Sequence, residues 1–195
     1  MQQTINFPLC LTFIRLIASP VMMPILLVLL LPQHSLWWNS ILVTVFIGLC
    51  ITDFLDGYLA RRNRQETVLG QLLDPIADKF LVVSTILTLV YLQRVFLYWA
   101  LMVIMRDFFV MGLREMSLAH GFSLTVSWEG KIKTMLQMMY IAVVIVNPYQ
   151  TFDQAPLLYS LEYILCVISL SFTIFTGYSY GKLFFHTYNQ RQSLI

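Results

Sequence analysis

Apolar residues along this chain come in long blocks, not alternating with polar ones, and short clusters of polar or turn-forming residues separate the blocks. Six blocks stand out, at 8–31, 37–60, 71–92, 96–118, 131–148 and 156–181. Each is near the roughly 20 residues that a helix needs to cross the hydrocarbon core of a bilayer, and the longer ones suit tilted spans. Pro32 with Ser35, Asn63, Gln93, Gly121, and Pro148 with Pro156 mark the breaks. Pro20 predicts a kink in the first block. The pattern predicts an all-α membrane protein of six transmembrane helices, with residues 1–195 as one domain. It contains no internal repeat.

Composition agrees with lipid as the main solvent. The chain is 58% hydrophobic and 11% charged, where a soluble domain carries about 25% charged residues. A net charge of +2 lacks the basic excess expected of a nucleic-acid-binding protein. Cys10, Cys50 and Cys166 sit singly in apolar runs, which speaks against a disulfide framework or zinc site and for small packing residues. The first basic residue is Arg15, inside the apolar block, so no cleaved signal peptide is expected. Arg61, Arg62, Arg64, Lys131, Lys133, Lys182 and Arg191 fall on one side of the predicted membrane, and Arg94 on the other. By the positive-inside bias, both termini and the 61–64 loop face the cytoplasm. Trp37, Trp38, Tyr91, Trp99, Tyr149 and Tyr159 then fall near the outer interface.

Four acids in the second and third blocks alter this picture. Asp53, Asp56, Gly57 and Ala60 follow the i, i+3, i+4, i+7 spacing of one helix face. Gly70, Asp74 and Asp78 stack on one face of the next helix. Carboxylates at membrane depth are costly, and clustered they repel unless protonated or bridged by cations. An oxygen-only cluster suits hard ions such as magnesium or manganese. Gly57, Ala60 and Gly70 leave space for a ligand's phosphates. Small residues alone are often packing notches, and acids at a helix end can simply be solvated. Two correctly spaced pairs flanked by Arg61 fit neither reading well.

The run Asp53-x2-Asp56-Gly57-x2-Ala60-Arg61-x8-Gly70-x3-Asp74-x3-Asp78 resembles the signature of the CDP-alcohol phosphotransferases at all its fixed positions. At ordinary residue frequencies, a chance match at one start is on the order of one in 10^10. The resemblance implies a six-helix membrane enzyme, a homodimer, that displaces CMP from a CDP-linked lipid with an alcohol. It implies two divalent ions, Mg2+ or Mn2+, held by Asp53, Asp56, Asp74 and Asp78, with Asp78 also the general base. Arg61 would contact the diphosphate, and Gly57, Ala60 and Gly70 would line the CDP-lipid pocket.

The acceptor is less sharply defined. Arg106 and Arg114 lie two turns apart in the fourth block, about 80° around a helix, beside Asp107 and Glu115. Buried arginines need partners. Local ion pairs would serve, and so would a phosphate bound by guanidinium forks. Lys131 and Lys133 could reach the same cavity or simply bind anionic headgroups. Met105-Arg106-Asp107, Gly112-Leu113-Arg114-Glu115, Val126-Ser127-Trp128 and Gly130-Lys131-Ile132-Lys133-Thr134 are similar to bacterial members of the family that use glycerol 3-phosphate. So are Asn6-Phe7-Pro8, Leu11-Thr12 and Arg15. That likeness implies CDP-diacylglycerol and glycerol 3-phosphate as substrates, in a bacterial cytoplasmic membrane. Inositol phosphate, serine or phosphatidylglycerol as acceptor stays open, and a divalent-cation transporter is the remote alternative. Glu162 has no assigned role.

Overall fold

A computed structural model describes residues 20–62, 68–124, 128–147 and 156–192, with the side chains of 53–78 and 192 excepted. Among the described residues all regular structure is helical. The first helix, α1, is described over Pro20–Gln33 and tightens into a 3-10 turn at Leu31–Gln33. It is followed by α2 (Leu36–Arg62), α3 (Val68–Tyr91), α4 (Leu97–Ala119), α5 (Trp128–Val146) and α6 (Pro156–Gln192). The expected blocks 37–60, 71–92, 96–118 and 131–148 correspond to helices whose ends differ by a few residues, and of 8–31 the part from Pro20 is described and helical. The residues before Pro20, on which the expected kink depends, the turns at Asn63 and Pro148, and Arg15 and Tyr149 lie outside the described residues.

Backbone chemistry explains two of the ends. Beyond α3, Gln93 adopts φ +58°, its N–H donates to Val90 O at 2.9 Å, and the Arg94 N–H donates to Leu89 O at 2.8 Å. Beyond α4, Gly121 takes φ +74°, with Gly121 N to Leu118 O and Phe122 N to Ser117 O both at 3.0 Å. Each is a Schellman closure with a left-handed residue just past the helix. Glycine adopts that conformation at no steric cost, whereas Gln93 does so against its own Cβ. Within the helices, hydroxyls are absorbed locally. Thr85, Thr88, Thr173 and Thr176 each donate to the carbonyl four residues earlier. This satisfies them where water is scarce.

Two compact units are distinguishable: Met1–Val95 with Ile145–Gln150, and Phe96–Val144 with Thr151–Ile195. In the first, Met23, Leu27 and Leu31 bury one face of α1, and Leu42, Phe46, Ile86 and Leu89 are likewise buried. Arg94 donates from Nη2 to the Asn147 carbonyl, tying down the cation that the charge pattern left alone on its side. In the second unit, α4 packs on α6. Its buried stripe is Trp99, Val103, Asp107, Val110, Leu113 and Ser117, a run at helical spacing. Val110 and Leu113 meet Phe122, Leu124, Tyr180 and Phe184 in an apolar cluster.

α6 is the helix long and apolar enough, among the described residues, to cross a membrane by itself (Pro156–Arg191). Its 37 residues measure about 55 Å at 1.5 Å each, well beyond the expected span of 156–181. The excess has a physical cause. No proline interrupts it, and its last turns are held: Phe184 belongs to the cluster, Tyr188 packs against it, and Arg191 donates to Gly121 O at 3.1 Å. Trp99 also differs from its expected interfacial setting. It is 2% exposed, its ring lies 4.6 Å from Tyr140, and its indole N–H donates to Ser169 Oγ at 3.0 Å. Trp37 and Tyr91, in contrast, are widely exposed.

Candidate active site

The acidic signature falls on two helices. α2 carries Asp53, Asp56, Gly57, Ala60 and Arg61 on unbroken helical backbone, and α3 does the same for Gly70, Asp74 and Asp78. The spacing argument for shared faces needs helical backbone at these positions, and that is what they have. Their side chains lie outside the described residues. As a donor set, four carboxylates without histidine or cysteine fit a hard divalent cation.

The described chemistry lies in the second unit. Lys133, on α5, is fully buried and donates from Nζ to Asp107 Oδ1 at 2.7 Å and to Gln137 Oε1. The same Asp107 oxygen takes Nη1 of Arg106 at 3.0 Å. One carboxylate thus serves two cations, and it satisfies neither completely. Arg106 Nε and Nη2, together with Arg114 Nε, are buried without a hydrogen-bond partner among the described residues. Unpaired buried donors are expensive and uncommon, and here three belong to the two guanidinium groups.

Tyr180 of α6 unites the two arginines, which the helix sets some 80° apart. The guanidinium carbon of Arg106 lies 5.7 Å from the ring centroid and that of Arg114 lies 5.4 Å from it, within cation–π range. The Tyr180 hydroxyl accepts from Arg114 Nη2 at 3.1 Å. One turn earlier, a Cβ on Gly177 would come within 3.3 Å of Arg106 Cγ, so glycine makes room for the arginine stem. Sequence reasoning missed Tyr180, Gly177 and Gln137. Gln137 alone had a signal, standing one turn after Lys133 on the same face.

The two lysines that the sequence groups together are separated. Lys131 is exposed, with its ammonium 5.0 Å from the Trp128 ring centroid, while Lys133 turns inward. Two residues on a helix differ by about 200°, so one of the pair had to face away. Glu115 is exposed and Asp107 buried, so the acids beside the arginines differ in the same manner. His34, His120 and His186 are exposed, and the His120 ring packs edge-on against Tyr188. Cys50 and Cys166 are not in disulfides.

Comparison with known proteins bears on this arrangement. The CDP-alcohol phosphatidyltransferase family profile matches residues 5–175. A Rickettsia bellii protein named CDP-diacylglycerol–glycerol-3-phosphate 3-phosphatidyltransferase is 35% identical over 179 residues, covering 91% of this chain and 94% of the relative. Proteins of the same name from Haemophilus influenzae and Salmonella choleraesuis are 37% identical over 140 residues and 35% over 149. These alignments cover 69% and 73% of this chain, and 72% and 78% of the relatives. With the acidic signature inside a match spanning nearly the whole sequence, the chain belongs to the CDP-alcohol phosphatidyltransferase family, a family of enzymes.

Proposed function

We propose that this enzyme transfers the phosphatidyl group of CDP-diacylglycerol to glycerol 3-phosphate, giving phosphatidylglycerophosphate and CMP. Within the family, the observation that carries the choice of acceptor is an anion seat formed by half-buried Arg106 and Arg114, three of whose donors are buried without a hydrogen-bond partner among the described residues. Such a seat suits an acceptor bearing a phosphate monoester and disfavours cationic alcohols. The names of the relatives support the same acceptor and weigh against inositol phosphate, which charge alone would also admit.

In this reading, residues 1–195 act as one catalytic domain with six transmembrane helices, in a bacterial cytoplasmic membrane. Both termini and the active site face the cytoplasm, and the enzyme works as a homodimer. Asp53, Asp56, Asp74 and Asp78 would hold two divalent ions, Mg2+ or Mn2+. When bound, those ions neutralise the diphosphate and the departing CMP. Gly57, Ala60 and Gly70 line the CDP-lipid site, and Arg61 contacts the diphosphate. Arg106 and Arg114 bind the acceptor phosphate. Lys133, through Asp107, sets the charge around them, and exposed Lys131 adds longer-range attraction. Asp78 takes the proton from the acceptor hydroxyl. The oxygen so freed bonds to the lipid-side phosphorus, and that phosphorus releases the bridging oxygen with CMP.

Purified protein assayed for CMP release from CDP-diacylglycerol tests the proposal. Glycerol 3-phosphate is expected to support turnover when magnesium or manganese is present, and not after chelation. Faster turnover with inositol phosphate, serine or phosphatidylglycerol would move the enzyme to a sister activity, and no CMP release with any acceptor would sink the reading.

A further inference from the structure

We propose that Tyr180 is a positioning residue for the acceptor phosphate: its ring holds the two guanidinium groups as an open fork without spending their charge. The inference rests on the reading of Arg106 and Arg114 as acceptor ligands. Two like charges beside the same ring repel each other, and a neutral partner that attracts both offsets that repulsion. A carboxylate there would neutralise the pair and occupy the donors that a ligand needs. The Tyr180 ring attracts both cations through its π face at 5.7 and 5.4 Å, yet carries no charge. Its hydroxyl accepts from Nη2 of Arg114. Asp107 engages only Nη1 of Arg106. Buried without a hydrogen-bond partner among the described residues are Nε and Nη2 of Arg106 and Nε of Arg114. Three donors on two fixed cations match a tetrahedral dianion, which offers several acceptor oxygens, better than a planar monoanionic carboxylate.

Tyr180 is 3% exposed and lies in the α4–α6 apolar cluster, which fixes its ring plane independently of any ligand. Gly177, one turn away on α6, leaves the space the Arg106 stem occupies. The fork geometry is therefore set from α6, a helix none of whose residues was expected in the site.

The test measures acceptor and lipid kinetics separately in Tyr180→Phe and Tyr180→Leu, beside Arg106→Ala and Arg114→Ala. Glycerol 3-phosphate binding is followed independently by ligand-induced thermal shift of the purified protein. Tyr180→Phe keeps the ring and removes the hydroxyl, so the KM for glycerol 3-phosphate should rise about tenfold, the loss of one hydrogen bond to a charged group. The KM for CDP-diacylglycerol should not move. Tyr180→Leu should raise the acceptor KM further and abolish the thermal shift. If Tyr180→Leu fails to fold, Tyr180→Phe alone decides. Impaired arginine variants beside unaffected Tyr180 variants would overturn this inference and leave the proposed function standing. Equal KM changes for both substrates, or lost stability with unchanged acceptor KM, would reduce Tyr180 to packing. If the arginine variants also keep a normal acceptor KM, the acceptor-phosphate reading itself fails.

Discussion

Replacing Asp107 by leucine should destabilise the enzyme more than any effect on packing volume can explain. At 2.7 Å, the Lys133–Asp107 attraction amounts to about 6 kcal/mol at an effective dielectric of 20. Desolvating each ion costs several kcal/mol. The two terms nearly cancel, so the intact pair adds little net stability compared with an apolar pair of the same size. Removing one member is a different matter. Lys133 is fully buried, and without Asp107 its ammonium loses the carboxylate 2.7 Å away while keeping its contact with the Gln137 amide. Breaking a buried pair in this way costs about 3–5 kcal/mol.

The sign of the argument can be isolated with a double-mutant cycle. Asp107→Leu should lose about 3–5 kcal/mol, and Asp107→Leu combined with Lys133→Met should recover most of it. Arg106 loses its Asp107 contact in both backgrounds, so that contribution drops out of the comparison. Equilibrium unfolding by SDS in mixed micelles, followed by tryptophan fluorescence, is a suitable assay, because Trp99 is buried against Tyr140 in the same unit. If Asp107→Leu unfolds at the wild-type midpoint, or the double variant is no more stable than the single one, the buried charge pair is not what holds α4 to α5.

Four further outcomes are expected. Asp78→Asn should lower CMP release by at least about 100-fold, the lower end for a lost general base, while the protein still inserts and purifies normally; near-normal turnover would remove Asp78 from that role. Arg106→Ala or Arg114→Ala should raise the KM for glycerol 3-phosphate by about 10- to 100-fold, leaving that for CDP-diacylglycerol within a few-fold, and unchanged acceptor kinetics in both would return the arginines to structure. Chelation should silence the enzyme, with activity regained on adding magnesium or manganese but not sodium. Gln93→Gly should stabilise by up to about 1 kcal/mol, since the residue already holds a left-handed conformation, and Gly121→Ala should destabilise by a similar amount. Thermal melting in detergent reads both, and a destabilised Gln93→Gly would mean that the glutamine side chain contributes more than its backbone costs.

How much of this was legible from the sequence depends on the range over which each interaction acts. The helices were legible because a span is a local property, written in consecutive apolar residues and closed by nearby turn residues. Gln93 and Gly121, picked out as breaks, are the two residues that take the left-handed conformation after α3 and α4. The end of α6 was not legible, because its last turns are held by Phe122 and Gly121, some 60 to 70 residues away, rather than by anything within the helix. The arginine pair shows the same division. Spacing alone located Arg106 and Arg114 and demanded partners for them, yet the ring that both guanidinium groups lie against stands 66 residues from Arg114. The lysines are the instructive exception. Their opposite settings follow from a rotation of about 200° already present in the sequence. Helical phase, applied to basic residues as strictly as it was to Asp53, Asp56, Asp74 and Asp78, would have sorted a buried ion-pair lysine from an exposed one before any coordinates existed.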